Sequence, residues 1–511
     1  MLEDNSENVD KTSDLSTTLF NFLEALSEQG YPLAQIDSIV HTSNSVDIFL
    51  TEGPEAKGVQ QYTDPRFKPN PELEQKINQE AILRNVNSTL TTLTNAGYPF
   101  ASVVIFPEEI QKLGDSLFMN IRYSVNEGQY ARINKLSFPG QLFPNSNLLN
   151  LESRIQRGGA FSAEELDRGL QRLKRLDNIL SLGEVSLRSS SPGIVDIIIP
   201  VEERSINRFS GIATINPDDG TPYGEANISF GNIFGTGRKL EFSWSGLQKG
   251  QQGIHAKYRE PWLFSYPLHI DIGMNRKTED SLETFTSYQL GINWEPDMHL
   301  TIGGNLEQET IVLRRAGEQN DEQIKTTWMG ASLTVNYLDH DWNPTKGFRL
   351  ESTTSAGFRN PGGDSSSETV HREDFNLRFA LPVKSSFVAY FKGETKHITA
   401  NNPNSTEMIR IGGINSVRGY SEERYRALRV SWMNTEFRWR QNVTSYYGVF
   451  ADFGFIHQSS TRYLVQDKYF SSVGISSEFI SRAGHIGFAL GLGAGNPIQQ
   501  SRLHFRIQTL F

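Results

Sequence analysis

The sequence contains no cysteine. Disulfides, zinc–thiolate sites and cysteine nucleophiles are therefore excluded. No apolar run reaches the roughly 18 residues that a membrane helix needs, and mean hydropathy is −0.44. A helical membrane protein is thereby excluded. A transmembrane barrel is not, because only alternate strand residues face lipid and the average stays polar. Basic residues are in deficit, 49 against 59 acids, and the net charge of −10 argues against a nucleic-acid binder. Met1-Leu-Glu-Asp-Asn-Ser-Glu-Asn8 has neither the basic region nor the apolar core of a secretory signal. The sequence is expected to begin after such a signal or within the mature chain. The ten histidines lack metal-ligand spacing, and no Gly-x-Ser-x-Gly elbow is present. Gly491-Leu-Gly-Ala-Gly495 is a weak dinucleotide-loop echo. It lies between strand patterns and reads as glycine in a strand or bend. No enzyme activity, metal or cofactor is expected.

Tryptophan is also missing from the first 240 residues; all seven lie between Trp244 and Trp439. That absence divides the chain near Arg204–Asn207. The first part repeats one theme. Leu19, Phe22, Leu23 and Leu26 form a helical stripe that ends at Gly30-Tyr-Pro32, and two strand patterns and Glu52-Gly53 follow. Ile82, Val86, Leu90 and Leu93 form a second stripe, ended by Gly97-Tyr-Pro99. Strands over 101–106 and 117–125 come next, then Glu127-Gly128. A third copy opens with a strand at 132–138. Its later helix begins with a capping box, Ser162 to Glu165, with Phe161 and Leu166 at staple spacing and Leu166, Leu170 and Leu173 buried. These are β-α-α-β-β units, the first lacking its opening strand and helix. The expected segments are 1–56 (partial), 57–129, 130–205 and 206–511.

From Asn207 onward strand patterns recur, starting near 207, 222, 236, 252, 266, 282, 297, 325, 347, 368, 384, 428, 444, 465, 482 and 501. Many are about 10 residues long, as tilted membrane strands require. About sixteen is an even number, as bacterial barrels have. In the last run Leu503, Phe505, Ile507, Thr509 and Phe511 share one face, and Arg502, His504, Arg506 and Gln508 the other. Between two strand patterns lies a loop of about thirty residues carrying Val417-Arg418-Gly419-Tyr420, a length uncommon without a job. On the next two strands Glu436 alternates with Thr435 and Phe437, and Asp452 with Ala451 and Phe453. That alternation puts both acids on the lumen side.

Several stretches carry a resemblance. Val417–Tyr420 resembles the inward-folded loop tip of the BamA/TamA outer-membrane assembly superfamily. Gly231-Asn-Ile-Phe-Gly-Thr-Gly237, Tyr258-Arg-Glu-Pro-Trp262 and Asp339–Phe348 resemble turns of that family, in the family's order. The repeated units resemble its periplasmic POTRA domains, and Phe511 its terminal targeting aromatic. The resemblance implies POTRA-like α+β repeats followed by a sixteen-stranded antiparallel transmembrane barrel. It implies that Arg418 latches onto Glu436 and Asp452, and that the first strand, with Phe209 and Gly211, meets the last, with Phe505 and Phe511, at a weak seam. Pro217 near the first strand would weaken that seam further. The implied role is outer-membrane protein assembly of the TamA-like kind, by strand templating at the seam. Its partners would be unfolded polypeptide clients, a TamB-like periplasmic protein and the lipid bilayer. The alternative within the superfamily is a two-partner secretion translocator.

Overall fold

The computed structural model describes residues 19–510 apart from 42–45, 71–77, 114–115, 144–145, 216–221, 249–250, 280–282, 315–320, 341–342, 363–365, 385, 402, 404–406, 422–423, 443–444, 458–466, 482–483 and 496. The chain divides into two compact units. One takes the chain up to residue 140 with 152–175 and 181–202; the other takes 141–151, 176–180 and 203 onward. No described helix is long and apolar enough to cross a membrane.

In the first unit, Gln35–His41 and Val46–Thr51 form a hairpin. Leu19 and Leu26 of the preceding helix are buried, but Phe22, expected beside them, is half exposed. The next helix, Gln79–Asn95, starts where Asn78 accepts a hydrogen bond from the Ala81 N–H at 2.8 Å. Its most buried face is Ala81, Asn85, Thr89 and Leu93; of the expected stripe Leu93 lies on that face, and Ile82, Val86 and Leu90 are half-buried. The reason is a polar network that satisfies the buried side chains. Asn85 Nδ2 donates to Gln60 Oε1 at 2.7 Å, the Tyr123 hydroxyl donates to the same oxygen, and the Tyr62 hydroxyl meets Thr89 Oγ1 at 2.7 Å. Buried polar groups that are fully paired cost little, so this face packs as well as an apolar one.

Burial pushes the Tyr123 phenol up to about 12 and also raises Tyr62. A phenol held neutral in the fold contributes stability that is complete below its unfolded value of about 10. That contribution is lost as pH rises from there towards about 12. Circular dichroism should therefore show the first unit unfolding across that window. Tyr123→Phe should flatten the pH dependence and, by taking a donor from Gln60, cost about 1–3 kcal/mol near neutral pH. An unchanged alkaline profile in that variant would remove Tyr123 from the account.

In the third repeat, strand Ile194–Ile198 lies between Arg132–Ser137, parallel, and Ser186–Ser191, antiparallel. Helix Ala163–Lys174 is capped as expected, Ser162 Oγ accepting from the Glu165 N–H at 3.3 Å. Leu173 is fully buried, and Leu166 and Leu170 half-buried.

The second unit holds sixteen antiparallel barrel strands in sequence order. They are β1 (Arg208–Ile215), β2 (Pro222–Ile233), β3 (Arg238–Gln248), β4 (Gln251–Glu260), β5 (Leu268–Glu279), β6 (Glu283–Asp297), β7 (Leu300–Leu313) and β8 (Glu322–Asn336), then β9 (Gly347–Asn360), β10 (Glu368–Lys384), β11 (Phe387–Thr399), β12 (Arg429–Arg440), β13 (Tyr446–His457), β14 (Lys468–Ser481), β15 (Gly484–Gly493) and β16 (Arg502–Leu510). Every start lies within three residues of the sequence-based expectation. Alternation explains that agreement. On β12, Val430, Trp432, Asn434, Glu436 and Arg438 are buried inward, while Met433, Phe437 and Trp439 are exposed outward. On β13, Phe450 and Asp452 face in, and Tyr447, Val449 and Phe453 face out. Period-two alternation puts lipid on one face and the lumen on the other.

The family-like turns lie on one rim. In the β8–β9 turn, Asp339 Oδ1 accepts the Thr345 N–H at 2.8 Å, and Asp339 also accepts from the Thr345 hydroxyl. Burial would raise this carboxyl, but those hydrogen bonds prevail and hold it below the usual range.

Among the described residues β1 and β16 meet through two register pairs, Arg208↔Leu510 and Phe209↔Thr509. Each is fully laddered to its other neighbour, β1 from Arg208↔Ser229 to Ile215↔Pro222 and β16 from His485↔Gln508 to Gly491↔Arg502. Of the expected seam residues, Phe209 pairs across. Gly211 and Phe505 lie beyond the paired stretch, and Phe511 and Pro217 fall outside the described residues.

Candidate functional site

The segment 400–428 joins β11 to β12 and turns back on itself through a short hairpin, Ile409–Ile411 with Tyr425–Ala427. Its tip is packed before it is charged. Ile411, Val417 and Tyr420 are buried in one cluster with Ala427, Val430, Trp432, Ile456 and Phe470. Burying several such side chains contributes about 1.5–3 kcal/mol each. The tip backbone is tied as well: Gly412 N–H donates to Ser416 Oγ at 2.8 Å, and Asn434 Nδ2 donates to the Ser416 carbonyl at 2.6 Å.

Arg418 reaches the lumen wall from this tip. Its Nε and Nη2 donate to Asp452 Oδ2 and Oδ1 at 2.9 and 2.8 Å, and its own backbone N–H donates to Oδ2 at 3.0 Å. Nη1 donates to Glu436 Oε1 at 3.1 Å. The guanidinium also lies over the Phe450 ring, 3.6 Å from its centroid. Planar, permanently charged and five-donor, arginine alone can fork onto one carboxylate and still reach a second. Asp452 is fully buried and Glu436 nearly so. The structure thus brings together Val417, Arg418, Gly419, Tyr420, Glu436 and Asp452.

One member of the cluster was not anticipated. Arg438, two residues beyond Glu436 on the same inward face, donates from Nε to Glu436 Oε2 at 2.7 Å and from Nη1 to Asn343 Oδ1 at 3.3 Å. Its guanidinium sits between the rings of Tyr390 (3.9 Å) and Tyr446 (4.4 Å). Ser476 Oγ also donates to Glu436. Two guanidiniums therefore face two carboxylates, and the cluster is neutral overall. Arg438 thus ties Glu436 to the wall through a contact that does not involve the loop.

Residues 232–511, more than half of the chain, match the profile of the Omp85 superfamily domain. The chain belongs to the Omp85 superfamily. The outer membrane protein assembly factor BamA of Nitratidesulfovibrio vulgaris is 22% identical over 450 residues, 80% of this chain and 53% of that protein. The chain thus spans about half the length of the curated relative it matches. Among solved structures, BamA from Haemophilus ducreyi lacking POTRA domains 1–3 aligns with a TM-score of 0.54 at 16% identity, over 89% of this chain and 99% of that one. CdiB from Escherichia coli aligns at 0.56 and 15% identity, over 100% and 99%. At these identities the two likenesses speak to fold. Omp85 proteins are outer-membrane proteins with periplasmic POTRA domains, and are assembly and transport factors rather than enzymes.

In this Omp85 barrel the loop is also held near its root, with the charges reversed. Arg359, the penultimate residue of β9, forks onto Glu407 of the loop, Nε to Oε1 at 2.6 Å and Nη2 to Oε2 at 2.8 Å. Its Nη1 donates to Glu368 Oε1 of β10 at 2.6 Å. Sequence reading missed this anchor, because nothing local distinguishes Arg359 from other strand-end cations. Arg438 did carry a signal: a cation two residues from an inward acid, on a face that has to be lumenal.

Proposed function

We propose that this Omp85 chain is an outer-membrane protein assembly factor that inserts client barrels by templating their strands at the β1–β16 seam. The observation that carries the reading is the short seam ladder, two register pairs beside full ladders on either side. Unpaired backbone groups at a strand edge are a ready template for another strand. The name of the curated relative, an outer membrane protein assembly factor, supports it. The clients would be unfolded outer-membrane polypeptides. The N-terminal unit suits their delivery. Among the described residues strand Ser102–Leu113 pairs along one edge only, with Ser116–Asn126, and it exposes Val104, Phe106 and Ile110. A TamB-like periplasmic partner would share that edge. Within this reading Arg418 is the latch, and Glu436 and Asp452 are its receptors.

Reconstitution into lipid vesicles tests the proposal. An unfolded barrel client added on the side of the N-terminal unit should become a heat-modifiable, membrane-embedded barrel faster than in protein-free vesicles. Client folding at the protein-free rate would overturn the proposal. A soluble passenger protected from protease on the far side, without client insertion, would replace it with two-partner secretion.

A further inference from the structure

The glycine tract at 491–495 finds its use at the loop tip. Gly491 lies on the lumen side of β15, directly against Gly419. A Cβ placed on Gly491 would sit 2.7 Å from Gly419 N and 3.0 Å from Gly419 Cα. A Cβ on Gly419 would sit 2.9 Å from Gly493 N and 3.0 Å from the Leu492 carbonyl carbon. Both approaches are backbone on backbone, with no flexible side chain to give way. Gly419 also holds φ at +82°, where a side chain is strained. The depth of this contact is set by the lock itself, since the Arg418 N–H and guanidinium both end on Asp452.

The same few residues reach the last strands of the barrel. The Tyr420 hydroxyl donates to the Ser471 carbonyl of β14 at 3.0 Å, and the Gly419 N–H points at His504 Nε2 of β16 at 3.5 Å. With Glu436 on β12, Asp452 on β13 and Gly491 on β15, the tip touches each of the last five strands. β16 is one half of the seam. We infer that Gly491 is the positioning residue on which the loop tip is seated, and that through it and His504 the docked loop holds the β15–β16 hairpin against β1. The inference rests on the seam reading above and adds what sets the seam's width.

The absence of cysteine allows a clean test on the full chain in vesicles. Val417→Cys reports docking, because Val417 is fully buried and a thiol there reacts with a maleimide only once the loop leaves. The pair Phe209→Cys with Thr509→Cys reports the seam through its disulfide yield. Gly491→Val is the variant, and Gly393→Val, where an added Cβ meets nothing within 4 Å, is the control. Overpacking at Gly491 should raise Val417→Cys labelling about 10-fold or more over the control and lower the seam disulfide yield, while the barrel stays heat-modifiable. If Gly491→Val yields no barrel, Gly491→Ala brings the same Cβ contact with less bulk and is read the same way. Unchanged labelling would mean the tip is not seated on Gly491. Raised labelling with an unchanged disulfide yield would mean the seam does not follow the loop. Either overturns the inference. Neither readout involves a client, so failed client insertion with both readouts as expected would sink the proposed function alone.

Discussion

Arg418→Ala is expected to give a barrel that still forms and inserts but no longer keeps its loop inside, with client assembly falling towards background. The ladders between neighbouring strands do not run through the loop, so the barrel forms without it and only the short β1–β16 seam is expected to loosen. The lock does need Arg418. Without it Asp452 loses the guanidinium that forks onto it, while Glu436 keeps Arg438 and Ser476. Removing one partner of a buried ion pair costs about 3–5 kcal/mol. That is about a 100-fold or larger shift of the loop from docked to released. The apolar cluster around Val417 and Tyr420 opposes release but was already present in the balance. Arg418→Lys should fall between the two, because a point charge cannot fork onto Asp452 while reaching Glu436. Heat-modifiability, protease sensitivity of the loop and client insertion, measured together, decide the matter. Full client insertion with a released loop would remove the latch from the mechanism.

The second large effect is expected at the seam. Phe209 and Thr509 face each other in the last register pair between β1 and β16. Facing antiparallel residues lie within the Cα separation that a disulfide spans. Oxidising the Phe209→Cys/Thr509→Cys pair should therefore lock the strands together. Client insertion should then fall to the rate of protein-free vesicles and return on reduction. This experiment separates the two family functions. A pore that passes a polypeptide through its lumen would keep working with the seam locked, whereas a template at the seam could not. Undiminished insertion in the oxidised protein would exclude strand templating there.

Both predictions begin from residues that stand out in the sequence. Inward acids on adjacent strands and a glycine-flanked arginine in a long loop are local signals, and alternation supplies the direction of each side chain. Periodicity is a poorer guide at the helix Gln79–Asn95, where an apolar stripe does not mark the whole buried face. Asn85 and Thr89 share it with Ala81 and the expected Leu93, because Gln60, Tyr62 and Tyr123 come from distant strands to satisfy them. The role of Arg438 is hidden in the sequence for a similar reason. Its rings, Tyr390 and Tyr446, and its acceptor Asn343 lie on other elements of the barrel.

By itself the sequence determined the architecture: where each barrel strand starts, which face meets lipid, and which residue types could form a lock. These follow from the two-residue period of an extended chain, a property that any short window contains. Only the tertiary structure decided the pairings: Arg359 with Glu407, Arg438 between two tyrosines, Gly491 beneath Gly419, and a seam of two register pairs. Each depends on register and stagger accumulated strand by strand around the barrel. A shift of two residues at any one ladder would keep every face as it is and change every partner.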